Sequence, residues 1–88
     1  MGKGNKQAEA ANHIKELLTK RGLEISSRKM TLDDNQHWVV WDLNGRQIGI
    51  DSVSGVWVRR SNLDDWRCIS MPCNISGALQ AVEFLTRD

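Results

Sequence analysis

The stretch from Trp38 to Val58 reads WVVWDLNGRQIGIDSVSGVWV and carries the clearest turn signal of the chain, Asn44-Gly45, between two alternating apolar runs. A two-residue Asn-Gly loop favours a type I′ turn, because both residues tolerate positive φ and the turn matches the twist of the strands that it joins. The turn therefore sets the register of a hairpin. The predicted pairs are Leu43 with Arg46, Asp42 with Gln47, Trp41 with Ile48, Val40 with Gly49, Val39 with Ile50 and Trp38 with Asp51.

A second hairpin follows directly from the first. The apolar alternation after Ile50 aligns best when the turn lies at residues 52 to 54. The predicted pairs are then Ile50 with Val56, Gly49 with Trp57 and Ile48 with Val58. Three consecutive antiparallel strands result.

These registers give the sheet two chemically different faces, because side chains alternate across a strand. The core face collects Val39, Trp41, Ile48, Ile50, Val56 and Val58. The outer face collects Trp38, Val40, Asp42, Gln47, Gly49, Asp51, Trp57 and Arg59. On the outer face, Trp57 opposite Gly49 has two interpretations: its ring covers the backbone exposed by the glycine, or Trp57 and Trp38 flank a shallow site.

The flanking segments predict two helices. Apolar residues recur at three- and four-residue steps from Lys6 to about Arg21, where Gly22 can cap the helix and Leu23 can fold back onto it. A final helix begins after Asn74 or Ser76 as its cap. Its apolar stripe comprises Ile75, Ala78, Leu79, Val82 and Leu85, flanked by Ala81 and Phe84.

Two further segments predict strands at the edges of the sheet. Residues 23 to 32 form an irregular first strand with a bulge near residues 26 to 28, because Leu23 and Ile25 differ in parity from Met30 and Leu32. Residues 33 to 36 turn into the hairpin. Residues 66 to 71 form a short strand that Pro72 ends. Either Arg67 and Ile69 or Trp66 and Cys68 face the core, and we prefer Ile69 inward with Trp66 outward because Met71 then continues the apolar parity.

The predicted fold class is α+β, a two-layer sandwich. An antiparallel meander of four or five strands packs one face against an N-terminal and a C-terminal helix. Residues 1 to 5 are expected to be a disordered tail, and residues 6 to 88 a single domain.

Composition sets limits on function. The 88 residues include 12 Lys plus Arg against 11 Asp plus Glu, so the net charge of +1 implies no strongly electrostatic partner. No apolar run is long enough to span a membrane and no signal peptide is apparent, so we expect a cytoplasmic protein. Cys68 and Cys73 match no disulfide framework or zinc motif, and we expect reduced thiols.

Catalytic and metal sites have weak support. His13 reads as a solvated helix residue, and His37 as a partly exposed structural histidine. A dyad of His37 with Asp33 or Asp34 would act as base and orienter. A zinc site would need Cys68, Cys73, His13 and His37 to converge. Neither pattern has the local spacing that such sites use, so we predict no enzyme, no cofactor and no metal.

The strongest functional pattern is the aromatic and basic character of the outer face. Its candidate binding residues are Trp38, Trp57, Arg59, Arg60, Trp66 and Arg67. Trp and Arg dominate interface energetics, so we expect a protein partner or a homodimer. The alternative is single-stranded nucleic acid, with indoles that stack bases and arginines that contact phosphate. The near-neutral charge and the acidic turns Asp33-Asp34 and Asp64-Asp65 count against that alternative.

Overall fold

A computed structural model of the chain describes residues 6–32 and 35–87. Its elements are α1 (Lys6–Lys20), β1 (Arg28–Thr31), β2 (His37–Leu43), β3 (Arg46–Ile50), β4 (Val56–Arg59), β5 (Arg67–Ser70) and α2 (Ile75–Thr86). The five strands form one antiparallel sheet in the order β1-β2-β3-β4-β5. The predicted α+β meander between two helices is therefore confirmed, with five strands. None of the helices in the described ranges is long and apolar enough to cross a membrane.

Both predicted hairpin registers are confirmed over the paired residues, although Asp51, predicted opposite Trp38, follows the last residue of β3. Asn44 and Gly45 have φ of 53° and 91°, as a type I′ turn requires, and Trp41 pairs with Ile48. Strands β3 and β4 pair with Gly49 opposite Trp57. The turn chemistry thus determines which side chains share a face.

The core lies between the predicted core face of the sheet and the two helices. Its buried members are Ala10, Ile14, Leu18, Trp41, Ile48, Ile50, Val56, Val58, Ala78, Ala81, Val82 and Leu85. Val39 and Ile69 pack against this cluster from positions nearer the margin. Both helices therefore cover one face and leave the other without a helix.

Helix α1 ends as predicted. Gly22 has φ of 77°, and its amide donates to the Thr19 carbonyl at 2.9 Å while the Leu23 amide donates to the Leu18 carbonyl at 3.0 Å. These two bonds form a Schellman cap, and Leu23 packs back onto the core.

Helix α2 begins at the predicted cap but is rotated from the predicted stripe. The Asn74 side chain accepts from the Gly77 amide at 2.7 Å. Ile75 and Leu79, which the stripe placed inward, are 67% and 38% exposed. The sheet instead meets Gly77, Ala78 and Ala81, because these small residues let the helix approach closely: a Cβ on Gly77 would collide with the Ser70 side chain.

The first strand is shorter than predicted. Residues 23 to 27 form no strand, and Leu23 and Ile25 pack onto the core from this irregular segment. Strand β1 then places Met30 opposite Trp38 on the outer side. Residues 23 to 27 therefore lie outside the sheet, which removes the conflict in parity, and the predicted bulge does not form. The predicted tail at residues 1 to 5 and the Asp33-Asp34 part of the turn lie outside the described residues.

Candidate outer-face binding site

Three indoles meet on the outer face and form what we call the tryptophan cluster: Trp38, Trp57 and Trp66. The Trp38 ring centroid lies 5.5 Å from that of Trp57 and 5.2 Å from that of Trp66, with interplanar angles of 38° and 51°. These tilted contacts fall in the favourable range for aromatic pairs. The structure therefore brings together all three tryptophans that the sequence placed on this face.

Gly49 forms the floor beneath the cluster. A Cβ at this position would lie 2.7 Å from Cε3 of Trp38 and 3.2 Å from Cη2 of Trp66. The glycine is thus covered, as one interpretation of the sequence predicted, but Trp38 and Trp66 supply the covering rings and Trp57 stands beside them. Trp38 is only 5% exposed, so it supports the other two indoles and presents almost no surface of its own.

Trp66 reaches the cluster from a turn. It precedes β5, and the chain before it reverses direction through a bond of 3.1 Å from the Asp64 amide to the Ser61 carbonyl. Trp66 lies on the outer side and Ile69 packs on the core, as predicted. The ring folds back over β3, two strands away from β5.

The buried carboxylate of Asp51 holds Trp57 in place. Its Oδ2 accepts the indole Nε1–H of Trp57 at 2.7 Å, and its Oδ1 accepts the amides of Val53 and Gly55 at 2.9 and 2.7 Å. One side chain thereby satisfies the indole and shapes the loop between β3 and β4. The sequence analysis placed Asp51 on the outer face but did not predict this role. The signal that could have indicated it is an aspartate at the start of a loop, where the side chain commonly accepts nearby backbone amides.

A row of hydrogen-bonded polar side chains crosses the outer face beside the indoles. Arg28 pairs with Asp42 at 3.0 Å, Gln47 donates to Asp42, and Arg59 donates through Nε to Gln47. The Arg59 guanidinium lies 4.3 Å from the centroid of the Trp66 ring, a cation–π distance. Each polar group on this row therefore orients the next.

Arg59 is partly desolvated by this packing. Burial lowers the pKa of Arg59, and the nearby charge of Arg28 lowers it further, while Asp42 and Asp64 raise it. The guanidinium remains charged, since an arginine pKa is far above neutrality. No carboxylate of the described chain lies within ion-pairing distance of it.

The other two predicted contacts, Arg60 and Arg67, lie elsewhere. Arg67 pairs with Val58, whose side chain faces the helices, so it falls on the helix side of the sheet margin. Both residues line a cleft together with Arg46, Arg87 and the Phe84 ring, which we call the arginine cleft. The six predicted binding residues therefore divide between two places.

The histidines and cysteines are dispersed. Nδ1 of His37 lies 3.2 Å from the Thr31 hydroxyl, while His13 and Cys73 line a cleft of about 670 Å³ near the starts of the two helices. Cys68 is exposed opposite Trp57, and burial raises the pKa of the Cys73 thiol. In residues 6–32 and 35–87, no three His, Cys, Asp or Glu side chains are grouped for a metal ion.

Comparison of the chain with known protein families, with curated proteins and with solved structures finds no match.

Proposed function

We propose that the protein is a small non-catalytic binding module whose outer face contacts a protein partner, a second copy of the chain included. The observation that carries the proposal is the environment of Arg59. Its guanidinium stacks on Trp66, is partly desolvated, and makes its one hydrogen bond in the described structure to the neutral amide of Gln47. A carboxylate from a partner would complete the coordination of this cation.

The indoles beside Arg59 supply apolar contact area. Trp57 and Trp66 are half-buried, so each presents part of its surface to solvent on the face that carries Arg59. Tryptophan and arginine are the residues most enriched among interface hot spots, where a desolvated centre is surrounded by weaker contacts. Trp38 acts beneath them as a support.

The side chains of the outer face are held in place in the absence of a partner. Trp57 is bonded to Asp51, and Arg59 is held by Gln47 and by the Trp66 ring. A partner that binds here would lose less free energy in immobilising side chains than one that meets a mobile surface. Preordering therefore favours a specific contact over nonspecific adhesion.

The nucleic-acid alternative has less support from the geometry. Base stacking needs an open ring face, but the guanidinium of Arg59 lies over Trp66 and the three rings lean on one another. Arg60 and Arg67, which would have contacted phosphate beside the indoles, lie in the arginine cleft instead. Protein contact therefore remains the first proposal.

The first test is sedimentation equilibrium with tryptophan fluorescence over a range of concentrations. If copies of the chain pair through this face, dilution should produce monomers and shift the emission to longer wavelength. Arg59→Gln should weaken the association about tenfold or more, whereas Lys29→Gln, an exposed residue of the opposite parity on β1, should leave it unchanged.

If the protein is a monomer, Cys68 provides the second test. The residue is exposed directly opposite Trp57, so a photo-crosslinker attached to it samples the outer face. We expect a defined protein adduct that Arg59→Gln and Trp57→Ala abolish while Lys29→Gln retains it. If the protein stays monomeric and the same adducts form with Arg59→Gln and with Trp57→Ala as with the unaltered chain, the proposal is contradicted.

A further inference from the structure

The arginine cleft gathers four of the seven arginines of the chain: Arg46, Arg60, Arg67 and Arg87. They come from the start of β3, the end of β4, the start of β5 and the end of α2, so no sequence spacing connects them. The overall net charge is only +1, and a concentration of this kind is not a consequence of composition. The cleft is a separate place from the outer face.

Arg46 is the fixed member of the group. Its Nη1 donates to the carbonyls of Phe84 and Arg87 at 2.8 and 2.9 Å, and its guanidinium lies 5.2 Å from the centroid of the Phe84 ring. These contacts anchor the side chain at the C-terminal end of α2. Its Nε and Nη2 make no hydrogen bond within the described chain and remain available to a ligand.

The carboxylates of the cleft only partly offset this charge. Two aspartates line it, and one of them, Asp64, is engaged locally: it accepts from Arg60 through the amide and through Nε, both at 3.4 Å, and from the Asp65 amide at 3.0 Å. The amide of Arg60 is the main reason that the pKa of Asp64 is lowered. Arg67 and Arg87 form no ion pair with any described residue.

Among the described residues that line the cleft, four guanidinium groups against two carboxylates leave an excess of two positive charges. Like charges at close range repel one another, and a bound anion removes that repulsion. Arginine is also the side chain whose planar fork matches phosphate oxygens in pairs. A volume of about 650 Å³ is within the range of small-molecule sites.

We propose that the arginine cleft binds the phosphoryl groups of a ligand that carries at least two negative charges. Arg46 supplies a preorganised fork at the base of the cleft, and Arg60, Arg67 and Arg87 close on the oxygens from the rim. Free phosphate compounds and the backbone of a polynucleotide present the same chemistry. The site does not depend on the outer-face function, and either can fail without the other.

Calorimetric titration of the full chain with inorganic tripolyphosphate, and separately with a single-stranded oligonucleotide, tests the proposal. The cleft variant is Arg67→Gln with Arg87→Gln, since both side chains are exposed and their loss should not unfold the protein. We expect at least tenfold weaker binding. The matched control is Lys15→Gln with Lys29→Gln, which removes the same charge from exposed positions elsewhere and should change affinity less than twofold.

The two probes separate the sources of the phosphate. Saturable one-to-one binding of tripolyphosphate supports a small ligand, whereas binding of the oligonucleotide alone, lost in the cleft variant and steeply weakened by salt, supports a polynucleotide backbone. The proposal is overturned if neither probe binds at low ionic strength. It is equally overturned if the cleft variant and the control lose the same affinity, because generic charge would then explain the binding.

Discussion

The two faces of the sheet bury their residues by different means. The helix side is a broad layer of aliphatic side chains, with Trp41 among them, covered by two helices. In the described ranges no helix covers the outer side, where three indoles pack over one glycine beside a row of polar side chains. The helix side holds most of the fully buried side chains, so a cavity there should cost more unfolding free energy than the loss of a half-buried ring on the outer side. On the outer side a substitution should act mainly through the indoles that lean on one another.

The largest expected effect is on the helix side, where Trp41→Ala should cost about 3 to 5 kcal/mol in unfolding free energy. Trp41 is 2% exposed and belongs to the buried core cluster, so its loss leaves a cavity there. A domain of this size has stability on the order of 4 to 13 kcal/mol, so much of the population should unfold. Urea denaturation followed by circular dichroism measures the unfolding free energy. If Trp41→Ala lowered it no more than the substitution of an exposed residue does, the expected cavity effect would be contradicted.

Gly49→Ala should cost about 1 to 3 kcal/mol, because the new methyl group meets the Trp38 ring at 2.7 Å and the ring must shift. The same change should alter near-ultraviolet circular dichroism, since the indoles would repack. Gly45→Ala is a useful comparison, as its penalty comes from positive φ with no atom within 4 Å of the added methyl. Unchanged indole spectra in Gly49→Ala would show that the rings are looser than the geometry indicates.

Trp66→Ala should cost about 1 to 2 kcal/mol, less than Trp41→Ala, because the ring is half-buried and comes from a turn. Leu63→Ala, in the same turn but 92% exposed, is the matched control and should leave stability unchanged. In a double-mutant cycle with Trp38→Ala, we expect a coupling of about 0.5 to 1.5 kcal/mol. Strict additivity would mean that the two rings do not stabilise one another.

The smallest expected effect is a difference in alkylation rate between the two cysteine thiols. Cys68 is exposed on the outer side, whereas Cys73 packs against the core and burial raises its pKa. A raised pKa reduces the thiolate fraction at neutral pH, so Cys68 should be alkylated about tenfold faster, and the rate at Cys73 should continue to climb at pH values above the ordinary thiol pKa. Pulse labelling with mass spectrometry gives both rates, and equal rates at neutral pH would refute the distinction.

The sequence predicted most of the sheet because its information there is local. The Asn44-Gly45 turn sets one register, and apolar alternation extends it to the next strand, so both faces follow. The rotation of α2 was missed, because the apolar stripe gives weight to Ile75 and Leu79 whereas close approach to the sheet selects small residues. Hydropathy alone does not report that geometric preference.

The candidate sites were predictable only in part. Two of the tryptophans are on registered strands and the third was predicted outward, so the side of the sheet was predictable for all three. The cover of Gly49 was not, because Trp38 and Trp66 lie over it where the register favoured Trp57. The arginine cleft was not predicted at all, although Arg60 and Arg67 were singled out. Its four arginines belong to different elements, and their proximity depends on how α2 lies against the sheet margin.

The meander has a kinetic consequence. Every strand pairs with its sequence neighbour, so the sheet can assemble from short loops, with little loss of chain entropy at each step. The packing of α1 against α2 is different: it joins the two ends of the chain, with Arg21 donating to the Thr86 hydroxyl at 3.2 Å. We therefore expect the hairpins to form first and the helix pair to close last, so that destabilising the helix contact accelerates unfolding and leaves the folding rate nearly unchanged.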